Sequence, residues 1–133
     1  MKTTALIEKG KDGTFGIFTP DINSTIIGSG DTVTEAKADF ENSVKEIIQF
    51  YKEDGIELPE ELRNIEFEYK WDIASVFDYF NWINASKLAK KLDITPSLMR
   101  YYKKKDSYIS EMQARKIEIG LHRLADELKA VSL

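Results

Sequence analysis

Two hydrophobic periods divide this chain, and together they restrict its fold class. Ile65, Phe67, Tyr69 and Trp71 alternate with Glu66, Glu68 and Lys70. A period of two puts the four large apolar groups on one face of a strand and the charges on the other. After Asp72 the apolar spacing becomes helical and stays so. Strand signals followed by an unbroken helical run describe an α+β chain in two modules, residues 1–71 and 72–133. A length of 133 residues suits one medium domain or two small ones.

The stretch before the alternating strand reads as β-β-β-α. Residues 3–9 and 14–19 form a hairpin across Lys11-Asp12-Gly13, where Gly13 is free to take a positive φ. Pro20-Asp21 breaks the second strand. A short third strand is expected at 25–28, ended by Gly28-Ser29-Gly30. Thr32-Val33-Thr34-Glu35 has the outline of a capping box, with Thr32 accepting the Glu35 amide and Glu35 reaching back to the Thr32 amide. Val33, Ala36, Phe40, Val44, Ile47, Ile48 and Tyr51 then recur at mostly three- and four-residue steps, and Asp54-Gly55 closes that helix. Leu58-Pro59-Glu60 reads as a connector. The first module is therefore expected to be a β-β-β-α-β antiparallel sheet with one helix on one face.

In the second module, Ser75 with Asp78 can cap a helix carrying Val76, Phe77, Phe80 and Ile83. Asn84 caps a short helix with Leu88, Ala89 and Leu92 inward, and Asp93-Ile94-Thr95 makes a tight turn with Ile94 plugging the corner. Thr95 caps a second helix with Pro96 at its first position, where the missing amide costs nothing. Met99 and Tyr102 point inward there with Leu98 beside them, and Ser97, Arg100, Tyr101 and Lys104 point out. That spacing is the pattern of a helix-turn-helix. Arg100 can fork onto guanine, Ser97 can bond either partner, and Tyr101 offers a phenol and a flat face. Lys103, Lys104 and Lys105, with Lys87, Lys90 and Lys91 on the first helix, can neutralise phosphates. The expected DNA-contacting set is Lys87, Thr95, Ser97, Arg100, Tyr101, Lys103 and Lys104. A last helix at 110–131 carries Ile117, Leu121, Leu124, Leu128 and Val131, a stripe for packing on its own module, for a dimer contact, or for both.

Charge follows the same division. Through Lys70 the chain has 8 basic and 15 acidic residues, net −7; the remainder has 11 and 8, net +3. Residues 84–123 hold ten basic residues against Asp93, Asp106, Glu111 and Glu118, net +6. Asymmetry of this kind suggests two modules with different partners. There is no cysteine, which excludes a disulfide framework, a thiol nucleophile and a thiolate metal site. The N-terminus lacks an apolar export region and no apolar run approaches a membrane span, so a cytoplasmic protein without a membrane partner is expected.

Ile7-Glu-Lys-Gly-Lys-Asp-Gly-Thr-Phe-Gly-Ile-Phe-Thr-Pro-Asp21, followed by Gly30-Asp-Thr-Val-Thr-Glu-Ala36, resembles the HicB family of antitoxins. From about Ile83 to Leu128 the chain resembles an XRE or lambda-repressor-type helix-turn-helix, an arrangement found attached to HicB modules. The resemblance implies a partial ribonuclease-H-like first module that masks a small messenger-RNA-cleaving HicA toxin. It also implies that the second module, or the whole toxin–antitoxin complex, binds operator DNA and represses the chain's own operon; a homo-oligomer, dimer or tetramer, is expected because helix-turn-helix proteins commonly pair to read two half-sites. The chain departs from the family after Pro20-Asp21, where HicB proteins usually read Leu-Pro-Gly-Cys and this one reads Ile-Asn-Ser-Thr-Ile26. A HicB-like chain can also be an orphan DNA-binding regulator whose first domain only oligomerises.

No enzyme and no cofactor are expected. A magnesium nuclease would need several converging carboxylates, and Glu8 and Asp21 are the ones to argue into that role. Asp12 and Asp21 are better explained as turn formers, and Asp31 and Glu35 as acids at a helix start. His122 is the only histidine and has no second His or Cys beside it, so neither a metal site nor a general base is expected there.

Overall fold

The structure, a computed structural model, describes residues 2–105 and 107–133; Asp106, counted above in the charge of the second module, lies outside them. The chain divides into two compact units, Met1–Asp72 and Ile73–Leu133. Among the described residues there are one four-stranded sheet and five α-helices, an α+β composition.

The first unit runs β1 (Lys2–Lys9), β2 (Phe15–Phe18), β3 (Ile27–Gly30), α1 (Val33–Glu53), a 3-10 turn (Glu60–Leu62) and β4 (Glu66–Trp71). The β1–β2 turn forms as its residues dictate: Gly13 sits at φ +86° and Asp12 accepts from both the amide and the hydroxyl of Thr14, at 3.0 and 2.7 Å. The strand order is β3-β2-β1-β4. β1, β2 and β3 pair antiparallel, but β4 pairs parallel to β1, with Thr3 opposite Phe67 and Ile7 opposite Trp71. The expected antiparallel sheet is thus corrected to a mixed one. The cause is the crossover: α1 has 21 residues, about 31 Å at 1.5 Å per residue. It returns the chain across the sheet, so the next strand enters in the direction of β1, as a helical crossover requires.

β3 is a second correction. Its strand is Ile27–Gly30 rather than 25–28, so Gly28-Ser29-Gly30 is the strand and not its terminator. These glycines let α1 lie directly on the strand. A Cβ on Gly28 would stand 2.5 Å from Phe40 Cα, and one on Gly30 would stand 2.7 Å from the Ala36 nitrogen. At the start of α1, Thr32 Oγ1 accepts the Glu35 amide at 3.1 Å, as expected, while the Glu35 carboxylate reaches the Asp31 amide at 2.9 Å instead of that of Thr32. At its end Gly55 takes φ +64° and the Ile56 amide closes on the Tyr51 carbonyl at 3.0 Å, a left-handed cap with its 6→1 bond. The connector at 58–60 runs into the 3-10 turn at Glu60–Leu62, whose Leu62 is buried in the core with Ala5, Ile7, Phe15, Ile17, Ile26, Ala36 and Phe40. Phe40 stands edge-on to Phe67, 4.9 Å between centroids. The alternating strand faces as expected, with Ile65, Phe67, Tyr69 and Trp71 packed against this core and Glu66, Glu68 and Lys70 exposed.

The second unit contains α2 (Ile73–Tyr79), α3 (Ala85–Lys91), α4 (Pro96–Tyr102) and α5 (Glu111–Lys129). Ser75 does not cap α2; the helix begins at Ile73 and Ser75 is buried inside it. The core is Phe77, Ala85, Leu88, Ala89, Ile94, Met99, Tyr102 and Ile117. α5 is capped by the Ser110 hydroxyl, which accepts the Gln113 amide at 3.2 Å. Along its stripe Ile117 is buried, Leu121 and Leu124 are half-buried, and Leu128 is exposed; Val131, also exposed, lies beyond the last helical residue. No helix of the described residues is long and apolar enough to cross a membrane.

Candidate nucleic-acid interface

α3 and α4 are joined by a turn whose conformation is over-determined. The Asn84 side chain accepts the Lys87 amide at 3.0 Å and starts α3. Asp93 then adopts φ +55°. Its amide reaches the Lys90 carbonyl at 3.4 Å and the Ile94 amide reaches that of Ala89 at 2.9 Å. That pair of bonds is a Schellman closure, with aspartate in the left-handed position that glycine more often fills. Ile94 is 3% exposed, so the corner is pinned by burial as well. Thr95 Oγ1 accepts the Leu98 amide at 3.2 Å and Pro96 opens α4. Ala89 is fully buried, which permits close packing of the two helices.

This framework fixes what faces out. Lys87, Lys90 and Lys91 on α3, and Ser97, Arg100 and Tyr101 on α4, are exposed, as are Lys103 and Lys104 directly after it. Met99 and Tyr102 are buried at 1% and 5%. Among the described residues, no acidic side chain pairs with these lysines or with Arg100. Lys103 and Lys104 also sit at a helix C-terminus, where positive charge is favoured.

Four members of the expected contact set have local partners. Arg100 Nη2 donates to Ser97 Oγ at 3.2 Å, so the two side chains form one exposed polar unit. The Thr95 hydroxyl is committed as a cap. The Tyr101 hydroxyl accepts the Tyr108 amide at 3.0 Å, fastening the α4–α5 loop to α4. Its phenol is therefore not a free reader, although the hydroxyl keeps its proton to donate. Sequence reasoning passed over Tyr108 and Trp82, 78% and 70% exposed respectively. Neither falls on a helical stripe, so no periodic signal marks them.

The acidic residues of the first unit serve other ends. Glu61 accepts from the Asn23 amide at 3.1 Å and from the amide and hydroxyl of Ser24. The Ser24 hydroxyl bond, followed by the Asn23 amide, holds this carboxyl below its ordinary value. The loop at 21–26, where the chain departs from the HicB pattern, is thus tied to the 3-10 turn. Asp39 accepts the Ser29 amide at 2.9 Å, covering a donor of the edge strand β3. Burial, then the hydrogen bond to Glu41 at 3.1 Å, pushes the Tyr69 phenol up to about 12, and Lys37 lies over its ring at 4.8 Å. Among the described residues no group of three or more His, Cys, Asp and Glu side chains converges as a metal site would require. His122 is exposed on α5. Comparison with protein-family models, curated proteins and solved structures returned no match to this chain.

Proposed function

We propose that this chain is an antitoxin-like transcriptional regulator of the cytoplasm, with a DNA-binding second unit and a partner-binding first unit. The observation that carries the DNA reading is the α3–turn–α4 pair. Two side-chain caps and a Schellman turn hold a rigid corner, and cations without an acidic partner among the described residues flank an exposed Ser97–Arg100 pair. As a helix-turn-helix, α4 enters the major groove, with Arg100 placed to fork onto a guanine and Ser97 orienting it. Lys87, Lys90, Lys91, Lys103 and Lys104 hold phosphates on either side. Pairing of two copies gives the half-site symmetry such readers use.

For the first unit we propose a small basic HicA-like toxin as partner. The β-β-β-α-β order and the net charge of −7 through Lys70 support this, since an acidic surface steers a basic protein. A specific observation favours an orphan regulator as the second reading: residues 21–26 depart from the family pattern and are held in their own way by Glu61. Co-expression with a neighbouring open reading frame for a basic protein of roughly 60–90 residues, in the size range of small domains, separates the two. The antitoxin reading expects relief of growth arrest and co-purification. Arrest that this chain does not relieve, or no such neighbour, favours the orphan.

A further inference from the structure

Beside the DNA-facing corner, the second unit has a groove whose aliphatic floor the reading above does not use. It lies between α3 and α5 and encloses about 320 Å³. Gly120 lines it, and a Cβ there would stand 2.6 Å from a Leu92 methyl, so the two helices approach as closely as a missing side chain allows. From there it opens past Leu124 to Leu128, with Ile83 and Leu88 completing an aliphatic floor. Trp82 stands at the rim, and Trp82 and Leu128 are 70% and 53% exposed. The charged rim consists of Lys87, Lys91 and Arg123 against Glu127 alone, net +2.

We propose that this groove docks an acidic amphipathic helix from a protein partner. An aliphatic floor takes side chains spaced at i, i+3, i+4 and i+7, the helix-in-groove mode. The three rim cations select a helix flanked by carboxylates and disfavour one flanked by lysines. Tryptophan and arginine, the residue types enriched at the energetic centres of interfaces, both line the groove as Trp82 and Arg123. A nucleic-acid strand fits the rim but not the floor, because leucine and isoleucine side chains offer no stacking surface to bases and no donors to phosphates. Lys87 and Lys91 are shared with the phosphate contacts of the DNA reading, so helix and nucleic acid compete for those two cations, whereas Arg123 and the aliphatic floor belong to the groove alone.

The test is fluorescence anisotropy on the full chain. The probe is a fluorescein-labelled helical peptide with leucines at i, i+3, i+4 and i+7 and glutamates at the flanking positions; a lysine-for-glutamate version is the control. The expected result is saturable binding, about tenfold tighter for the glutamate peptide at low salt. Arg123→Glu and Leu128→Glu, both at exposed positions and so compatible with folding, should each weaken it about tenfold. In a Trp71→Phe background the Trp82 emission should shift to the blue on binding. Equal affinity for the two peptides, or binding unaffected by both variants, overturns the proposal. So does a blue shift driven by protein concentration alone, which would give the groove to a second copy. A loss of single-stranded oligonucleotide binding in Leu128→Glu as large as the loss of peptide binding would overturn it too, because it would place nucleic acid on the aliphatic floor.

Discussion

Gly28 and Gly30 let β3 lie directly against the backbone of α1, and that approach can be tested with a single methyl group. In Gly28→Ala the new Cβ would stand 2.5 Å from Phe40 Cα and 2.6 Å from Phe40 Cβ, and it would also meet the Phe40 nitrogen. Ordinary carbon contacts are about 3.5–4.0 Å, so strand and helix must part by about 1 Å. The obstacle is backbone, so no rotamer change relieves it. Overpacking of this kind typically costs 1–3 kcal/mol, occasionally more. Alanine recovers about 0.4–1 kcal/mol through the unfolded chain. A net loss of about 1–2 kcal/mol is expected, on the order of 10 °C in melting temperature for a unit of this size. Gly16→Ala is the control, because a Cβ there meets nothing within 4 Å. The chain has two tryptophans, Trp71 in the first unit and Trp82 in the second. Urea unfolding followed by each in turn, with the other replaced by Phe, reads the units separately. The loss should appear in the Trp71 transition. A Gly28→Ala variant within about 0.5 kcal/mol of wild type, the range of an inert surface change, would refute the account of why β3 is glycine-rich.

Three further outcomes follow from local geometry. Asn84→Ala removes the cap of α3 and should cost about 1 kcal/mol in the Trp82 transition. Asp93→Gly should stabilise the same transition by several tenths to about 1 kcal/mol, because Asp93 holds φ +55° and glycine takes that conformation without strain. Tyr69 should ionise at about 12 in an ultraviolet titration, against 10.0 for the free phenol, in a step that Tyr69→Phe removes. A raised folded value means that its contribution is intact below 10 and lost as pH climbs from there towards 12. Tyr69→Phe should remove that part of the alkaline stability loss.

Much of this was legible in the residues themselves. Caps are local, so Thr32, Asn84 and Thr95 and the proline at 96 could be placed from chain neighbours alone. The alternation from Ile65 to Trp71 and the inward set Leu88, Ala89, Ile94, Met99 and Tyr102 follow from period and volume. The parallel pairing of β4 was not legible, because strand direction is set by the crossover and not by the strand's own pattern. Glycine lowers strand propensity, so Gly28 and Gly30 read as breakers; their cause, the backbone of α1, is a tertiary contact. Ser75 is a capping residue type that the core took instead. On the candidate interface, exposure of Ser97, Arg100 and Lys104 could be read from helical spacing. The bond from Tyr108 to Tyr101 could not, since it depends on how the α4–α5 loop folds back.

The central claim is that the second unit grips nucleic acid through the cations around α3 and α4. Its most direct test is the salt dependence of duplex DNA binding by the intact protein, using DNA from upstream of its own gene. Each phosphate neutralised contributes about −0.9 to the slope of log K against log salt. With Lys87, Lys90, Lys91, Arg100, Lys103 and Lys104 exposed, the account predicts a slope of roughly −4 or steeper per protomer. Lys104→Ala should flatten it by about 1 for every sequence, and Arg100→Ala should cost about 1–3 kcal/mol at the cognate site alone. Absence of binding, or a slope near zero that neither variant changes, would contradict it.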